Sequence, residues 1–188
     1  MCNMENKHPK IFIISGKARA GKDTTAGYIK NIYESKNLKV LNLQYSSYIK
    51  EYAKKISNWN GSEDTKPREL LQKLGTDIIR KNLGDNFFVN KLIEDIKVYS
   101  YFFDVITISD ARFKIEIDIP KQYFDNIYAI RIERPYFNNG LTEEQKNHPT
   151  EIDLDDYDKF NYKIINDGTL YDLSCKVRQM IEEVHHES

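Results

Sequence analysis

This 188-residue chain has little of what marks secreted, membrane or nucleic-acid-binding proteins. Its two cysteines, Cys2 and Cys175, form neither a disulfide framework nor a zinc-binding spacing, so a reducing, cytoplasmic environment is expected. No apolar run approaches the roughly 18 residues of a membrane-spanning helix, and the polar stretch 1–9 lacks the apolar core of a signal peptide. The formal net charge is −1, so no overall basic field predicts nucleic-acid binding.

The apolar pattern alternates between short strands and amphipathic helices. A chain that is 40% hydrophobic and 30% charged is typical of a globular protein, and its length suits one domain. The predicted strands cover 10–15, 39–43, 104–109, 127–132 and 162–165. The predicted helices cover 22–35, 47–59, 67–82, 85–97 and 169–184. This alternation predicts an α/β fold with a parallel sheet covered on both faces, and ligands beyond the carboxyl ends of the strands.

The turn between the first strand and the first helix has the spacing of a phosphate-binding loop, G-x-x-x-x-G-K. Its glycines let backbone N–H groups point at phosphate oxygens, and the helix N-terminus adds partial positive charge. Lys22 is placed to contact the β- and γ-phosphates of ATP, while Lys17 and Arg19 add positive charge. A glycine-rich turn without a nucleotide is the structural alternative. The candidate nucleotide-binding residues are Gly16, Lys17, Arg19, Ala20, Gly21, Lys22, Asp23 and Thr24.

Two aspartates are candidate Mg²⁺ ligands. Asp23 stands where phosphate loops usually have Ser or Thr, and a carboxylate can bind Mg²⁺ directly or through water, while Thr24 remains available to a phosphate. Asp110 ends an apolar strand, as the acidic residue of a Walker B segment does. Arg112 follows it and is a candidate phosphate contact. The alternative is a simple ion pair between Arg112 and Asp110.

The predicted helix 67–82 carries Arg68 near its start and Arg80 in its last turn. Gln72, Thr76 and Arg80 share one face at helical spacing, as a substrate-facing stripe would. Arg80 is equally compatible with a plain role at the helix C-terminus, where a cation is favourable. The expected buried side consists of Leu70, Leu71, Leu74 and Ile78.

The longest irregular stretch, 134–151, is polar and interrupted by prolines. Arg131 and Arg134 lie at its entrance, and a mobile lid that brings them over the phosphates would exclude water. A surface loop with solvated arginines is the alternative. His148 is given no chemical role and is more compatible with capping local structure.

Several segments resemble the deoxynucleoside monophosphate kinase family, a branch of the adenylate-kinase-like P-loop kinases. GKD and SDxR are shared with animal-type phosphomevalonate kinases, whereas LQKLGTDIIR favours the nucleotide branch. The resemblance to dephospho-CoA kinases is weaker, because their G-S-G-K-S/T loop is replaced here. The matching segments are GKARAGKDT (16–24), PRELLQKLGTDIIR (67–80), NFFVNKL (86–92), ISDARF (108–113) and IINDGTLYDL (164–173).

The resemblance implies a three-layer P-loop kinase fold with five parallel strands, and ATP with Mg²⁺ at the loop. It implies one domain with a core (10–45, 100–132, 160–186), an acceptor-binding helical region (46–98) and a lid (132–151). It places adenine against Asn166, Asp167 and Gly168. The implied (deoxy)nucleoside monophosphate lies near Arg68, Arg80, Asp110 and Arg112, with Gln72 added from the helix stripe. The expected catalytic residues are Lys22, Asp110, Arg112, Arg131 and Arg134.

Two other functions stay open at this point. The acceptor could be another small phosphate ester, such as phosphomevalonate. A GTPase-like or non-catalytic nucleotide-binding regulator would need a guanine-reading N-K-x-D segment, and Asn90-Lys91 is followed by Leu-Ile. The expected partner is a small-molecule phosphate acceptor, with neither nucleic acid nor membrane, and the chain is expected to be a monomer or homodimer.

Overall fold

The computed structural model describes residues 5–62 and 64–186. Cys2 and position 63 therefore lie outside the described residues. Within the described ranges, no helix combines the length and apolar character needed to cross a membrane.

Five parallel strands form the centre of the fold, in the order β2-β3-β1-β4-β5. All five are predicted from the sequence, because each is a short run of mostly apolar residues. The parallel α/β architecture is therefore confirmed. The strands are β1 (Lys10–Gly16), β2 (Val40–Leu43), β3 (Val105–Ala111), β4 (Ile127–Glu133) and β5 (Tyr162–Ile165).

Helices cover both faces of this sheet and extend beyond its carboxyl edge. The longer ones are α1 (Lys22–Glu34), α2 (Ser46–Ile56), α5 (Phe87–Tyr99) and α9 (Leu170–His186). The shorter ones are α3 (Arg68–Gln72), a π-helix (Lys73–Arg80), α4 (Lys81–Leu83), α6 (Ile115–Asp118), a 3₁₀ turn (Pro120–Gln122), α7 (Glu143–Lys146) and α8 (Pro149–Ile152).

The central strand β1 separates two hydrophobic cores. Side chains along a strand point alternately to opposite faces, and here Ile11 and Ile13 pack in the core that includes α5. Phe12 and Ile14 pack in the other core, with residues of α1 and α9. Because both faces of β1 are covered, its sequence is continuously apolar rather than alternating.

The carboxyl ends of the central strands bring three predicted site segments together. Ser15 is in register with Ala111 of β3 on one side and with Arg131 of β4 on the other. The loop that follows β1 therefore emerges between Asp110 and Arg131. This is the position at which ligands bind in open parallel sheets.

The stretch 134–151, predicted to be irregular, contains α7 and the start of α8. Thr142 and Gln145 form a reciprocal capping box at the start of α7, a Thr-x-x-Gln signal that is present in the sequence. His148 caps α8 by accepting a hydrogen bond from the backbone N–H of Thr150, and Pro149 occupies the first helical position. The capping role expected of His148 is confirmed.

The π-helix changes which side chains face the core in the segment 67–82. Leu74 and Ile79, five residues apart, are 6% exposed each, whereas Ile78 is 52% exposed. The prediction that Ile78 lies on the buried side was wrong, because it assumed α-helical spacing throughout. A π-helix has i→i+5 hydrogen bonds and so shifts the buried positions by one residue.

Replacing Ile79 by alanine should lower the free energy of unfolding by about 2–5 kcal/mol, because the side chain is buried and its removal leaves a cavity. The matched variant Ile78→Ala should change it by less than about 1 kcal/mol, since half of that side chain is in solvent. Urea unfolding followed by circular dichroism measures both. A larger loss for Ile78→Ala than for Ile79→Ala would contradict the π-helical register.

Candidate functional site

The loop at 16–21 is tight enough that two of its glycines have no substitute. A Cβ on Gly16 would lie 2.5 Å from the backbone oxygen of Ile132, which cannot move out of the way. Gly21 has φ of 107°, a left-handed conformation, and a Cβ there would lie 2.8 Å from the side-chain nitrogen of Asn166. The glycines let the loop approach β4 and the segment after β5.

Lys22 closes this loop from within. Its Nζ donates hydrogen bonds of 2.9 Å to the backbone oxygens of both Gly16 and Lys17, and the residue is only 8% exposed. Burial is the main cause and the Arg112 charge the second cause that together lower the pKa of Lys22 to about 7, against the opposing effect of the Glu151, Asp23 and Asp110 carboxylates. The amine is therefore poised to gain a proton when an anion enters the loop.

Asp23 lies in the first turn of α1 with its carboxylate facing the end of β3. One oxygen accepts a 2.8 Å hydrogen bond from the Ser109 hydroxyl and a longer one, 3.4 Å, from Gln44. In the part of the chain that the structure describes, no cluster of three or more His, Cys, Asp or Glu could hold a metal. Mg²⁺ keeps several waters and takes one or two carboxylates together with substrate phosphates, so Asp23 fits such a site.

Asp110 has a structural task that the sequence did not reveal. Its two carboxylate oxygens accept hydrogen bonds from the backbone N–H groups of Tyr45 (2.9 Å) and Ser46 (3.0 Å), at the start of α2. A carboxylate there satisfies N–H groups that have no partner within the helix. Asp110 thus fixes α2 to the end of β3, and its metal or acceptor role stays a prediction.

Arg112 is paired, but not with Asp110. Its Nη1 lies 2.6 Å from a carboxylate oxygen of Glu151, and the other oxygen of Glu151 accepts a 3.0 Å hydrogen bond from the Ala18 backbone N–H. The guanidinium also approaches the Gly16 backbone oxygen at 3.3 Å. Arg112 therefore lies against the phosphate loop, as a phosphate contact would require.

Arg131 belongs to strand β4 rather than to the lid. It is 8% exposed, and its guanidinium donates to the Ser15 hydroxyl (3.1 Å) and to the Asp155 carboxylate (2.9 Å). The expectation that a lid carries Arg131 was wrong, because a side chain in the middle of a sheet moves only with the sheet. Arg134, just after β4, lies with its guanidinium 3.8 Å from the ring centre of Phe137.

Two cavities adjoin the loop. The smaller one, of about 320 Å³, lies between the loop and the segment after β5. The Asn166 side chain donates to the Ala20 backbone oxygen at 2.9 Å, which holds the two segments together. Asp167 points instead to Lys176 in α9, at 2.7 Å. The predicted residues that line this cavity are Arg19, Gly21, Lys22, Asp23, Thr24, Arg134, Asn166 and Gly168.

A larger cavity of about 900 Å³ lies between the loop and the helical region 46–98. All five predicted acceptor residues line it, although Arg68 and Arg80 are twelve residues apart in the sequence. Arg19, Lys22 and Asp23 line both cavities, so the two meet at the start of α1. The acceptor residues are Arg68, Gln72, Arg80, Asp110 and Arg112.

Glu116 is the buried carboxylate that sequence analysis missed. It is 2% exposed and accepts hydrogen bonds from the Arg80 guanidinium (2.8 Å) and from the backbone N–H groups of Arg112 (2.7 Å) and Phe113 (3.1 Å). Burial raises the pKa of Glu116 to about 7, and the Arg80 charge opposes that rise. The Arg80 guanidinium is also 4.0 Å from the Phe113 ring centre, so its orientation is fixed on two sides. No sequence motif marks a glutamate in this position.

Solved structures of several small-molecule kinases share this fold. Dephospho-CoA kinase from Campylobacter jejuni superposes with a TM-score of 0.53 at 14% identity, covering 94% of this chain and 98% of that one. APS kinase from Mycobacterium tuberculosis, in complex with AMPPNP and APS, gives 0.52 at 9% identity, with 93% and 98% covered. Shikimate kinase from Aquifex aeolicus gives 0.50 at 14%, with 95% and 99% covered. The chain has the P-loop kinase fold.

The family follows from the sequence. The family model described as deoxynucleotide monophosphate kinase matches residues 30–177. This chain belongs to the deoxynucleotide monophosphate kinase family, and it is a nucleotide-binding kinase. The match begins inside α1, so the phosphate loop is an observation independent of it. No curated protein sequence matches the chain.

The Lys22 amine should titrate near pH 7 in the nucleotide-free protein, because burial and the Arg112 charge both disfavour its protonated form. Lys114, whose pKa is raised by its hydrogen bond to Asp156, is the internal control with the opposite shift. NMR of lysine labelled with ¹³C at Cε measures both. Bound triphosphate should raise the pKa of Lys22. A Lys22 pKa at the ordinary lysine value of 10.5 in the free protein would contradict the buried geometry.

Proposed function

We propose that this kinase transfers the γ-phosphoryl group of ATP to a deoxynucleoside monophosphate and forms the diphosphate. The observation that carries the proposal is the meeting of the two cavities at Lys22 and Asp23. A donor in the smaller cavity and an acceptor in the larger one would bring their reacting phosphates together at the phosphate loop. The family to which the chain belongs supports the same reaction.

On the donor side, the triphosphate binds the loop N–H groups and Lys22. Adenine and ribose extend past Asn166 and Gly168, and Arg134 with Phe137 lies at the rim of this cavity. Asp23 is the residue that would hold Mg²⁺, which would neutralise negative charge on the phosphates there. ATP and Mg²⁺ are part of the proposal.

On the acceptor side, three arginines line one cavity: Arg68, Arg80 and Arg112. A guanidinium binds phosphate through two parallel hydrogen bonds, which lysine cannot reproduce. Lysine outnumbers arginine 21 to 7 in this chain, so arginine at these three positions favours a phosphate-binding role. The cavity also has aromatic surface, from the partly exposed Phe113, against which a base can lie.

The transfer reaction does not require a strong general base. The attacking oxygen belongs to a phosphate that is already an anion, so alignment and charge neutralisation supply the rate enhancement. Lys22 follows the charge that develops on the transferred group, and Arg112, which lies against the loop, contacts both that group and the acceptor phosphate. The acceptor oxygen forms a bond to the γ-phosphorus while the bond to the β,γ-bridging oxygen breaks, and ADP leaves.

A panel of acceptors tests the substrate. With labelled ATP and Mg²⁺, we expect transfer to one or more deoxynucleoside monophosphates at a kcat/KM at least about tenfold above that for phosphomevalonate and other small phosphate esters, since the family match favours a nucleotide. Preferred transfer to a non-nucleotide ester would replace the proposed acceptor while keeping the kinase. ATP binding without transfer to any acceptor would indicate a regulator.

In the same assay, Lys22→Ala should lower kcat by about 10²–10³-fold, the loss seen when one preorganised transition-state donor is removed. Lys30→Ala is the matched control, because Lys30 lies on the same helix and only pairs with Glu34 on the surface. The control should keep wild-type turnover. Wild-type turnover by Lys22→Ala would remove Lys22 from the chemistry.

Arg80→Lys should raise the KM for the acceptor by about 10-fold or more while leaving the KM for ATP within about twofold. The substitution keeps a charge but loses the planar fork that stacks on Phe113 and reaches Glu116. Arg178→Lys, an exposed arginine of α9, is the matched control. Equal increases in both KM values would show that Arg80 supports the fold rather than the acceptor site.

A further inference from the structure

A carboxylate of the protein already occupies part of the phosphate-binding machinery. The two oxygens of Glu151 are divided between the backbone N–H of Ala18 (3.0 Å) and the guanidinium of Arg112 (2.6 Å). The Glu151 side chain is only 9% exposed. One loop N–H group and one cation that would serve a phosphate are therefore already bound to an anion.

A second carboxylate repeats this arrangement four residues later. Asp155 accepts hydrogen bonds from Lys17 of the loop and from Arg131 at the end of β4, the latter at 2.9 Å. Its side chain is 42% exposed, so this pair is weaker than that of Glu151. Together, Glu151 and Asp155 contact three basic side chains next to the loop.

The segment that carries these carboxylates is anchored to the body of the protein. Leu154 and Tyr157 are 3% and 6% exposed and pack in the core that includes α5. The Asp153 carboxylate accepts a 2.8 Å hydrogen bond from the Lys114 backbone N–H. His148 caps the turn from which Glu151 projects. Glu151 is therefore held in place from both ends of the segment.

We propose that Glu151 is an internal substitute for a phosphate: it holds Arg112 and the Ala18 N–H before nucleotide arrives, and the triphosphate must displace it. The inference rests on the proposed function: Ala18, Arg112 and Glu151 line the larger cavity beside the loop, where the terminal phosphate of the donor would meet the acceptor. Without an anion, Lys17, Lys22, Arg112 and Arg131 would repel each other across a small, partly buried space. Glu151 keeps these groups in their binding geometry, and its displacement lowers the affinity for the triphosphate.

The role proposed for Glu151 and a purely structural role predict opposite effects on anion affinity when its charge is removed. Removing the Glu151 charge removes a competitor, so anions should bind more tightly, whereas loss of a purely structural contact would weaken binding. In a steady-state kinetic assay, the variant without the Glu151 charge should show a lower KM for ATP. Its melting temperature is expected to fall, because Arg112 loses its partner.

The experiment is a calorimetric titration of the full chain with inorganic tripolyphosphate and, separately, with ATP and Mg²⁺. Glu151→Gln, nearly the same shape without the charge, should bind tripolyphosphate about tenfold more tightly than the wild type. Glu143→Gln is the matched control, because Glu143 pairs only with Lys146 in α7 in the contacts described. That control should bind like the wild type.

A second variant keeps the proposal testable if Glu151→Gln does not fold. Asp155→Asn should also tighten tripolyphosphate binding, by a smaller factor of about two to three, because Asp155 is more exposed. Unchanged or weaker binding by a folded Glu151→Gln, or by Asp155→Asn if only that variant folds, overturns the proposal. Transfer to deoxynucleoside monophosphates is measured separately. Tighter binding without such transfer would contradict the proposed acceptor and leave the role of Glu151 intact.

Discussion

The site depends on one interaction: the Lys22 amine closes the turn after β1 through the backbone oxygens of Gly16 and Lys17. These bonds hold the two ends of the loop together, next to the Ala18 N–H group that donates to Glu151. The turn can be this tight because Gly16 allows contact with β4 and Gly21 allows a left-handed backbone. Any bulkier loop would push β1, α1 and the Asn166 segment apart.

Around this turn, charge is balanced by carboxylates that belong to different parts of the chain. Glu116 neutralises Arg80, Glu151 neutralises Arg112, and Asp155 neutralises Arg131. Asp110 instead satisfies the start of α2. The arginines proposed to bind phosphate therefore each have a carboxylate partner without nucleotide. A bound phosphate must compete with these partners or use the N–H groups that they leave.

Much of this could be predicted from the sequence, because local patterns carry it. The strands are short, β-branched and apolar, and the loop has a fixed glycine spacing before a lysine, so β1 and the residues 16–24 were placed correctly. Asn166, Asp167 and Gly168 were predicted by resemblance to lie against adenine; Asn166 and Gly168 line the smaller cavity, and the adenine contact stays a prediction. These features depend on residues that are close in the chain or on a motif with one geometry.

The features that were missed depend on contacts between distant segments. The π-helix changes the buried position from Ile78 to Ile79, and the α-helical spacing of the sequence gives no sign of it. Glu116 and Glu151 are ordinary glutamates in the sequence and acquire their roles only when the fold sets them against arginines. Arg131 falls inside the predicted strand 127–132 but was grouped with the lid that follows it, and its contacts with Ser15 and Asp155 fix it to the sheet.

The most direct test of the central claim is an NMR titration of ¹⁵N-labelled protein with ATP and Mg²⁺, followed at the backbone amides of the loop. We expect saturable chemical-shift changes at the amides of Ala18, Gly21, Lys22 and Asp23 with one nucleotide per chain, because their N–H groups form or border the phosphate site. A folded protein whose loop amides do not respond, or which binds nucleotide with shifts elsewhere only, would contradict it.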